Sequence, residues 1–477
     1  MNTVGQPSKT QVEARKKRAL PQALMGGTPA MRAAETIYLP KEEAESDKAY
    51  GNRINRTYLF NGFGKTVKDL HGKVFAKPLQ VQEDASTDIR GVYGENGEVV
   101  KPGYIENIDL TGQHLNNFAS NIFEAGLVSG IEYIFVDMPP AVQGATRRQE
   151  QQSGNRPYMV HVTPDNLLGW KARSVDGVMT LTQVRMLECS SVDDPDDPFA
   201  EIDVEKVRVV DYEPGVGVFW RLYRKEESDG KEPDWILEDE GPMSVSRIPL
   251  VPVYINRTDY MQGECPLSDL AQLNLAHWQS TSDQRNILHV ARVPILLATG
   301  FDDDVELVVG ANSYTSTSNE KASLKYVEHD GKAIGAGRDD LKDLEFQMQA
   351  FGLQLMLPKP GGQTATGEAI DEARMVSDLA MMADSLKDAL EAALGFMNEF
   401  KTGQQDGGGS IDVNKDFGIS LRDAQDITAI IQMVNAGQLS RETAWKEMIR
   451  RGFLAEGFDP VAEEDRIASG GSALGMM

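Results

Sequence analysis

The residues that first suggest chemistry are Gly62-Phe63-Gly64-Lys65-Thr66, which read as half of a phosphate loop. The full pattern needs a glycine five positions before Gly64, where Leu59 stands, and a strand ahead of the loop, where the flanks look helical. A surface helix with small-residue contacts is the better reading, and nucleotide binding is not expected. The histidines are His71, His114, His161, His277, His289 and His329, and no pair of them has H-E-x-x-H spacing. His277 and His289 lie about three turns apart on one helix, too distant to share a metal. The acidic groups Asp193, Asp194, Asp196 and Asp197, and separately 302–304, lack the alternation, glycine and glutamate of a helix–loop–helix calcium site. They read as solvated loops. No G-x-S-x-G motif is present, and no catalytic, cofactor or metal constellation emerges.

The bulk properties limit what these residues can serve. The chain has 477 residues, 40% of them apolar, enough for a real core in two to four domains. Its net charge is −25, unevenly spread. Residues 1–40 are basic through Lys9, Arg15, Lys16, Lys17, Arg18 and Arg32, so the remainder is more acidic still. An acidic body argues against tight DNA binding, which rests on Lys and Arg neutralising phosphates. It is compatible with a channel that must let DNA slide. The basic run reads first as a solvated helical face, with an acidic partner or nucleic acid as the alternative. Cys189 and Cys265 are expected to be reduced thiols. No signal peptide and no membrane span is expected, which predicts a soluble protein.

Periodicity then places the elements. Residues 41–80 have helical spacing, and 82–105 read as loop. Phe118, Ile122, Phe123 and Leu127 line one side of a helix over 115–128. That helix runs into a buried strand over 131–138 (IEYIFVDM). From 158 to 255, short alternating segments between turn clusters predict an antiparallel β region. A helix of about 40 Å is expected over 266–293, opened by Pro266 and ended by Pro294. It carries Asn274, His277, Gln279, Ser280, Thr281, Ser282, Gln284 and Asn286. A helix this polar reads as a strut, or as one packed against copies of itself, rather than as a core element.

Residues 295–337 read as a small projecting module, and 339–355 as a second helix. A Pro/Gly-rich loop follows, MLPKPGGQTATG, over 356–367. Next comes a helix reaching about residue 400. Leu379, Ala383, Leu386, Leu390, Ala393 and Met397 form a heptad-type stripe along it. Eight acids (Glu368, Asp371, Glu372, Asp378, Asp384, Asp388, Glu391, Glu399) and two bases (Arg374, Lys387) cover the rest of its surface. Residues 411–419 read as a strand. Two capped helices follow over 421–436 and 441–451, and then a Gly/Ser/Met-rich tail.

With these segments placed, the chain resembles phage portal proteins, and more narrowly the portal-like family known as a domain of unknown function, DUF4055. The similar stretches are spread over most of the chain. They include residues 23–33 (ALMGGTPAMRA), 62–78 (GFGKTVKDLHGKVFAKP), 109–136 (DLTGQHLNNFASNIFEAGLVSGIEYIFV) and 156–170 (RPYMVHVTPDNLLGW). Residues 266–294 (PLSDLAQLNLAHWQSTSDQRNILHVARVP), 357–368 (LPKPGGQTATGE) and 439–454 (LSRETAWKEMIRRGFL) complete the set. Their order and spacing are more specific than any one piece.

The resemblance implies an α+β portal-type subunit that forms a homo-oligomeric ring, usually of twelve copies, at one capsid vertex of a virion. Residues 1–265 would be wing, with the basic segment 1–40 at its start. Residues 266–294 and 338–355 would be the stem helices, and 295–337 the clip between them. Residues 356–367 would be the tunnel loop, 368–420 a further part of the wing, and 421–477 the crown. Double-stranded DNA would pass through the ring in packaging and ejection. The terminase large subunit and the head–tail adaptor would dock on it, with the major capsid protein and scaffold around it. Lys359, Gly361, Gly362, Gln363 and Thr364 would face the DNA, with Lys359 meeting phosphates transiently. The competing expectations are another virion part, such as an adaptor or capsid subunit, and a packaging ATPase suggested only by Gly64-Lys65-Thr66.

Overall fold

The computed structural model describes residues 3–94, 98–139, 155–194, 197–226, 234–292, 295–300, 321–327, 332–353, 365–415, 417 and 424–450, and the isolated positions 454, 458, 462–463 and 466. The architecture is α+β, as the sequence predicts. The chain divides into two compact units, Met1–Lys415 and Asp416–Met477.

The first unit opens with helix α1 (Lys9–Met25), which starts where the Ser8 side chain accepts a hydrogen bond from the Gln11 amide. Gly27 has a φ of +69°, and that left-handed turn separates α1 from α2 (Gly27–Ala33). Pro29 lies in the first turn of α2, where a missing N–H costs nothing. Helices α3 (Asp47–Arg56) and α4 (Gly62–Val74) begin at Ser46 and Asn61, each of which accepts from a first-turn amide. The next stretch is not wholly loop. It holds β1 (Gln80–Val81), a one-turn helix α5 (Thr87–Arg90), and the pair β2 (Val92–Tyr93) and β3 (Val99–Lys101).

Helix α6 (Leu115–Ser129) buries Phe118, Ile122, Phe123 and Leu127, the stripe read from the sequence. It stops at Gly130, whose φ is +84° and where a Cβ would sit 2.1 Å from the Glu264 carbonyl oxygen. Both facts demand glycine. Strand β4 (Ile131–Asp137) follows and is buried at every position. It is the middle strand of a sheet ordered β11 (Leu250–Tyr254), β4, β5 (Tyr158–Val162). Helix α6 packs on β4, and the long helix near the end of this unit packs on β4 and β11. Cover by two helices explains a strand buried along its whole length where a one-faced strand would alternate, and its buried Glu132 is bonded to His161.

The antiparallel region is a five-stranded meander in chain order. It comprises β6 (Leu167–Val175), β7 (Val178–Asp193), β8 (Glu201–Glu213), β9 (Gly217–Glu226) and β10 (Asp234–Met243). Asp176 and Gly177, both at positive φ, make the two-residue turn between β6 and β7. Leu168, Val207, Val209 and Tyr223 form a small core against Val4, Leu187 and Trp235. The short strands β12 (Arg257–Asp259) and β13 (Gln262–Gly263) then lead into helix α7 (Ser268–Ala291). The pair β14 (Ile295–Thr299) and β15 (Ser323–Val327), helix α8 (Lys332–Met348) and helix α9 (Ala365–Thr402) follow. Strand β16 (Ile411–Asp412) returns to pair with β1.

The second unit contains helix α10 (Ala424–Asn435) and helix α11 (Arg441–Arg450). Gly437 at φ +68° turns the chain between them, and the Ser440 hydroxyl accepts from the Thr443 amide at 3.1 Å. The expected cap at Ser420 and the tail beyond 466 lie outside the described residues.

Candidate functional site

The segment that sets this chain apart is two antiparallel-connected helices around a β-hairpin, followed by one very long helix. Helix α7 is the first of them. Its polar sequence reads as a strut, yet Asn274, His277, Thr281, Ser282 and Gln284 are all buried, beside fully enclosed Trp278. Several of its polar side chains are paired with α3, α4 and the loops beside them. Asn274 Oδ1 accepts from the Phe63 amide at 2.9 Å, and its Nδ2 donates to the Phe60 carbonyl at 2.8 Å. Gln279 Nε2 donates to the Tyr38 carbonyl at 3.0 Å. Arg53 donates to Ser282 Oγ at 3.4 Å, and Arg56 to Asn286 Oδ1 at 3.2 Å. Buried polar groups are tolerated once paired, so polarity alone misreads this helix. Its start is also two residues later than expected, with Pro266 in the turn before Ser268.

Helix α8 lies along α7. It begins at Lys332, earlier than the sequence suggests, and continues into a π-helical turn, Gln349–Leu353. Ser280 Oγ donates to Asp340 Oδ2 at 2.5 Å, and Gln284 Nε2 to the Ile334 carbonyl at 3.0 Å. At Gly337 a Cβ would come within 2.2 Å of Gln284 Oε1, so the small residue lets the helices approach. His277 Nε2 sits 3.5 Å from Glu345 Oε1. Burial pushes the His277 imidazole below its ordinary value, although the Glu345 carboxylate pulls the other way. Outward, α8 carries exposed Arg338, Asp339, Lys342 and Asp343, with Phe346 65% exposed.

The hairpin β14–β15 sits between α7 and α8 in the chain, with register Ile295↔Val327 to Thr299↔Ser323. Residues 301–320, including 302–304, lie outside the described residues. So does 354–364, and with it every expected DNA-facing residue: Lys359, Gly361, Gly362, Gln363 and Thr364.

Helix α9 matches its expected stripe, since Leu379, Ala383, Leu386, Leu390, Ala393 and Met397 are all buried. Its acidic coat needs correction. Glu399 is buried and accepts from the Ser246 amide and from Gln405 Nε2, each at 2.7 Å. Glu391 accepts from the Ile411 amide at 2.8 Å, and Asp384 pairs with Lys415. These three carboxylates fasten the chain to itself and do not form a free acidic surface.

The other sequence candidates have local structural partners. Gly62-Phe63-Gly64-Lys65-Thr66 forms the first turn of α4, but Asn61 Oδ1 takes the Gly64 amide and Asn274 Oδ1 the Phe63 amide. Thr66 Oγ1 donates to the Gly62 carbonyl at 3.0 Å, and Lys65 pairs with Asp69. The amides a phosphate would need are already in use. The basic N-terminal run is also engaged within the chain. Arg15 and Arg18 bind the loop at Asp165, Lys17 pairs with Glu264, and Lys16 with Glu13. Burial pushes the Asp165 carboxyl up, but Gln22, Arg18 and Arg15 outweigh it and hold it below the ordinary range.

His71 bonds Ser120 at 2.7 Å, His161 bonds Glu132 at 2.7 Å, and His114 Nδ1 accepts from the Asn116 amide at the start of α6. His289 is exposed, and His329 lies outside the described residues. Among the described residues no group of three or more His, Cys, Asp or Glu side chains is placed to hold a metal ion. Asp196 is not among those residues. Both cysteines are free thiols, Cys189 exposed and Cys265 buried, the latter with its pKa raised by burial to about 12. No described helix is long and apolar enough to cross a membrane.

Comparison with known proteins bears on this segment. Residues 266–401 match the model of the family described as a domain of unknown function, DUF4055. That span runs from just before α7 to the end of α9. No curated protein matches the chain. Among solved structures, a chain in the neck of a native gene transfer agent particle computed with C12 symmetry is similar at 14% identity and a TM-score of 0.40. The alignment covers 82% of this chain and 89% of that one. A chain in the virion of a native gene transfer agent particle is similar at 12% identity and a TM-score of 0.40, covering 88% of this chain and 98% of that one. Both likenesses are loose.

Proposed function

We infer that this protein is a portal-type subunit of a tailed phage or a phage-like particle, a structural component and not an enzyme. One observation carries the reading. A helix pair brackets a β-hairpin, a Pro/Gly-rich segment follows, and a long helix with one packed stripe closes the series, all within the DUF4055 match. In a ring, α7 and α8 would serve as stem, β14–β15 as the base of a clip, and the Pro/Gly-rich segment as a loop at the constriction, shortened at its end because α9 already begins at Ala365 and not at the expected 368. The ring would sit at a capsid vertex and pass double-stranded DNA without reading its sequence. Terminase and head–tail adaptor proteins would dock on its exposed module, with capsid protein and scaffold around its rim.

The net charge of −25 fits a conduit, because a negative wall disfavours sticking of a polyanion. The engaged amides at α4 argue separately against a packaging ATPase.

Electron microscopy of the purified full chain is the direct test. Rings with a central channel, usually twelve-fold, are the expected outcome. A monodisperse monomer at high concentration, unchanged by capsid or scaffold partners, would sink the reading. Within it, Lys359 is assigned to transient contact with DNA phosphates. Lys359→Ala should assemble normally but package less DNA, and normal packaging would remove that role.

A further inference from the structure

The five-stranded sheet ends in β6 and β10, whose outer edges pair with no other described strand. Their charges are opposite. Strand β6 carries Lys171 and Arg173 and no acid, whereas β10 carries acids and no base; Glu238 is paired with Lys206 of β8, and the exposed pair Asp239 and Glu240 supplies the edge charge. Both Lys171 and Arg173 are exposed. The far end of β6 is partly shielded, since the Ser8 amide donates to the Leu168 carbonyl at 2.7 Å. The open part of that edge is therefore 170–175, where the two bases lie.

The face between the edges orders these charges. Lys171 pairs in register with Gln183, and Gln183 with Asp211. Gln183 Nε2 donates to Asp211 Oδ1 at 2.7 Å, and Arg221 forms an ion pair with the other Asp211 oxygen. Arg221 in turn pairs in register with Glu240 on β10. A row of side chains thus crosses the floor of an open trough, from a base on one edge through acid and base to an acid on the other. Each end of the row lacks the neighbour that would continue it. A second copy placed beside the first supplies that neighbour.

We propose that adjacent copies of this chain join their sheets edge to edge, β10 of one copy against β6 of the next. This rests on the ring reading above and assigns it a lateral contact. Charge on an edge strand also guards against random pairing. Here like edges repel, so β6–β6 and β10–β10 contacts are blocked and only the head-to-tail combination remains. Such a heterologous contact is the kind that closes into rings. The meander makes β6 and β10 run in the same direction, so copies related by rotation about an axis near the strand direction meet in a parallel ladder. The apolar edge residues Ile236 and Leu237, each 44% exposed, would be covered by the contact.

The test uses the full chain with Cys189→Ser, to remove the exposed thiol. Ala172→Cys and Leu237→Cys together should give an oxidant-dependent ladder of cross-linked multimers. In parallel, Lys171→Glu with Arg173→Glu, and separately Asp239→Lys with Glu240→Lys, should each reduce ring formation. All four changes in one chain should restore it, because both edges are then inverted. Thermal melting monitored by circular dichroism checks that each variant is folded. Rings that form regardless of either reversal and give no ladder overturn this contact and leave the ring reading standing. A cross-link confined to single chains also overturns it, because the sheet then closes on itself. Folded monomers throughout, in the parent as well, overturn both.

Discussion

Asn274 is a small side chain with a large positional role. Within α7 it accepts from the Phe63 amide and donates to the Phe60 carbonyl, and it has no exposed surface. It thereby holds the first turn of α4 against α7 and occupies one of the donors that a phosphate would require. Removing it leaves the buried Phe63 amide without a partner, at about 1–3 kcal/mol, and takes one of two donors from the Phe60 carbonyl, which still accepts from the Gly62 amide. Asn274→Ala should therefore lower stability by roughly 1–3 kcal/mol in chemical denaturation. A change near zero would mean that water or a rotated side chain replaces both bonds. Glu399 works in the same way at the far end of α9, where it accepts from Ser246 and Gln405.

At the scale of elements, the α7–α8 contact has a pH dependence built into it. His277 is buried between the Phe60 ring and the Thr281 hydroxyl, with Glu345 and Asp340 of α8 as the acidic groups facing it. Burial, the largest influence, depresses its pKa from the ordinary 6.5. The unfolded chain then binds this proton more readily than the folded one. The neutral imidazole's contribution is complete above the unfolded pKa and is lost as pH falls through the window down to the folded one. The parent protein should lose stability over that window on acidification. His277→Gln should show a shallower slope between neutral pH and pH 5, read from urea midpoints. An unchanged slope would mean that Glu345 compensates the charge in full. The π-helical turn at Gln349–Leu353 ends α8 just before the Pro/Gly-rich segment. Such turns break the regular ladder and often mark functional positions.

At the scale of the whole molecule, the proposed role needs many copies and no nucleotide. That predicts a negative result with a positive control. Added ATP with magnesium should neither shift the melting temperature nor be hydrolysed, and Lys65→Ala should leave ring formation unchanged. A reproducible ATP-dependent stabilisation abolished by Lys65→Ala would restore the nucleotide reading against the hydrogen bonds now filling that turn. The division at Lys415 adds a separate expectation. A fragment ending there should fold with a mixed helix-and-strand spectrum close to the parent's, because the sheets and their covering helices belong to the first unit.

Much of this fold is written in local pattern. The buried stripe of α9, the buried strand β4, the β region from 158 onward and the Ser440 cap all follow from spacing and from which side chains can bond nearby amides. Those signals act over a few residues, so a linear reading captures them. The role of α7's polar residues was not legible, because the partners of Asn274, Gln279 and Ser282 lie more than two hundred residues away in the chain. The same holds for Glu391 and Glu399, which look like solvent-facing acids until the chain returns to meet them. It holds too for the trough, where Lys171 and Glu240 become two ends of one row only after five strands have paired. Composition shows that the chain is acidic. Which of those charges are free to meet a second copy depends on long-range pairing, which no local pattern encodes.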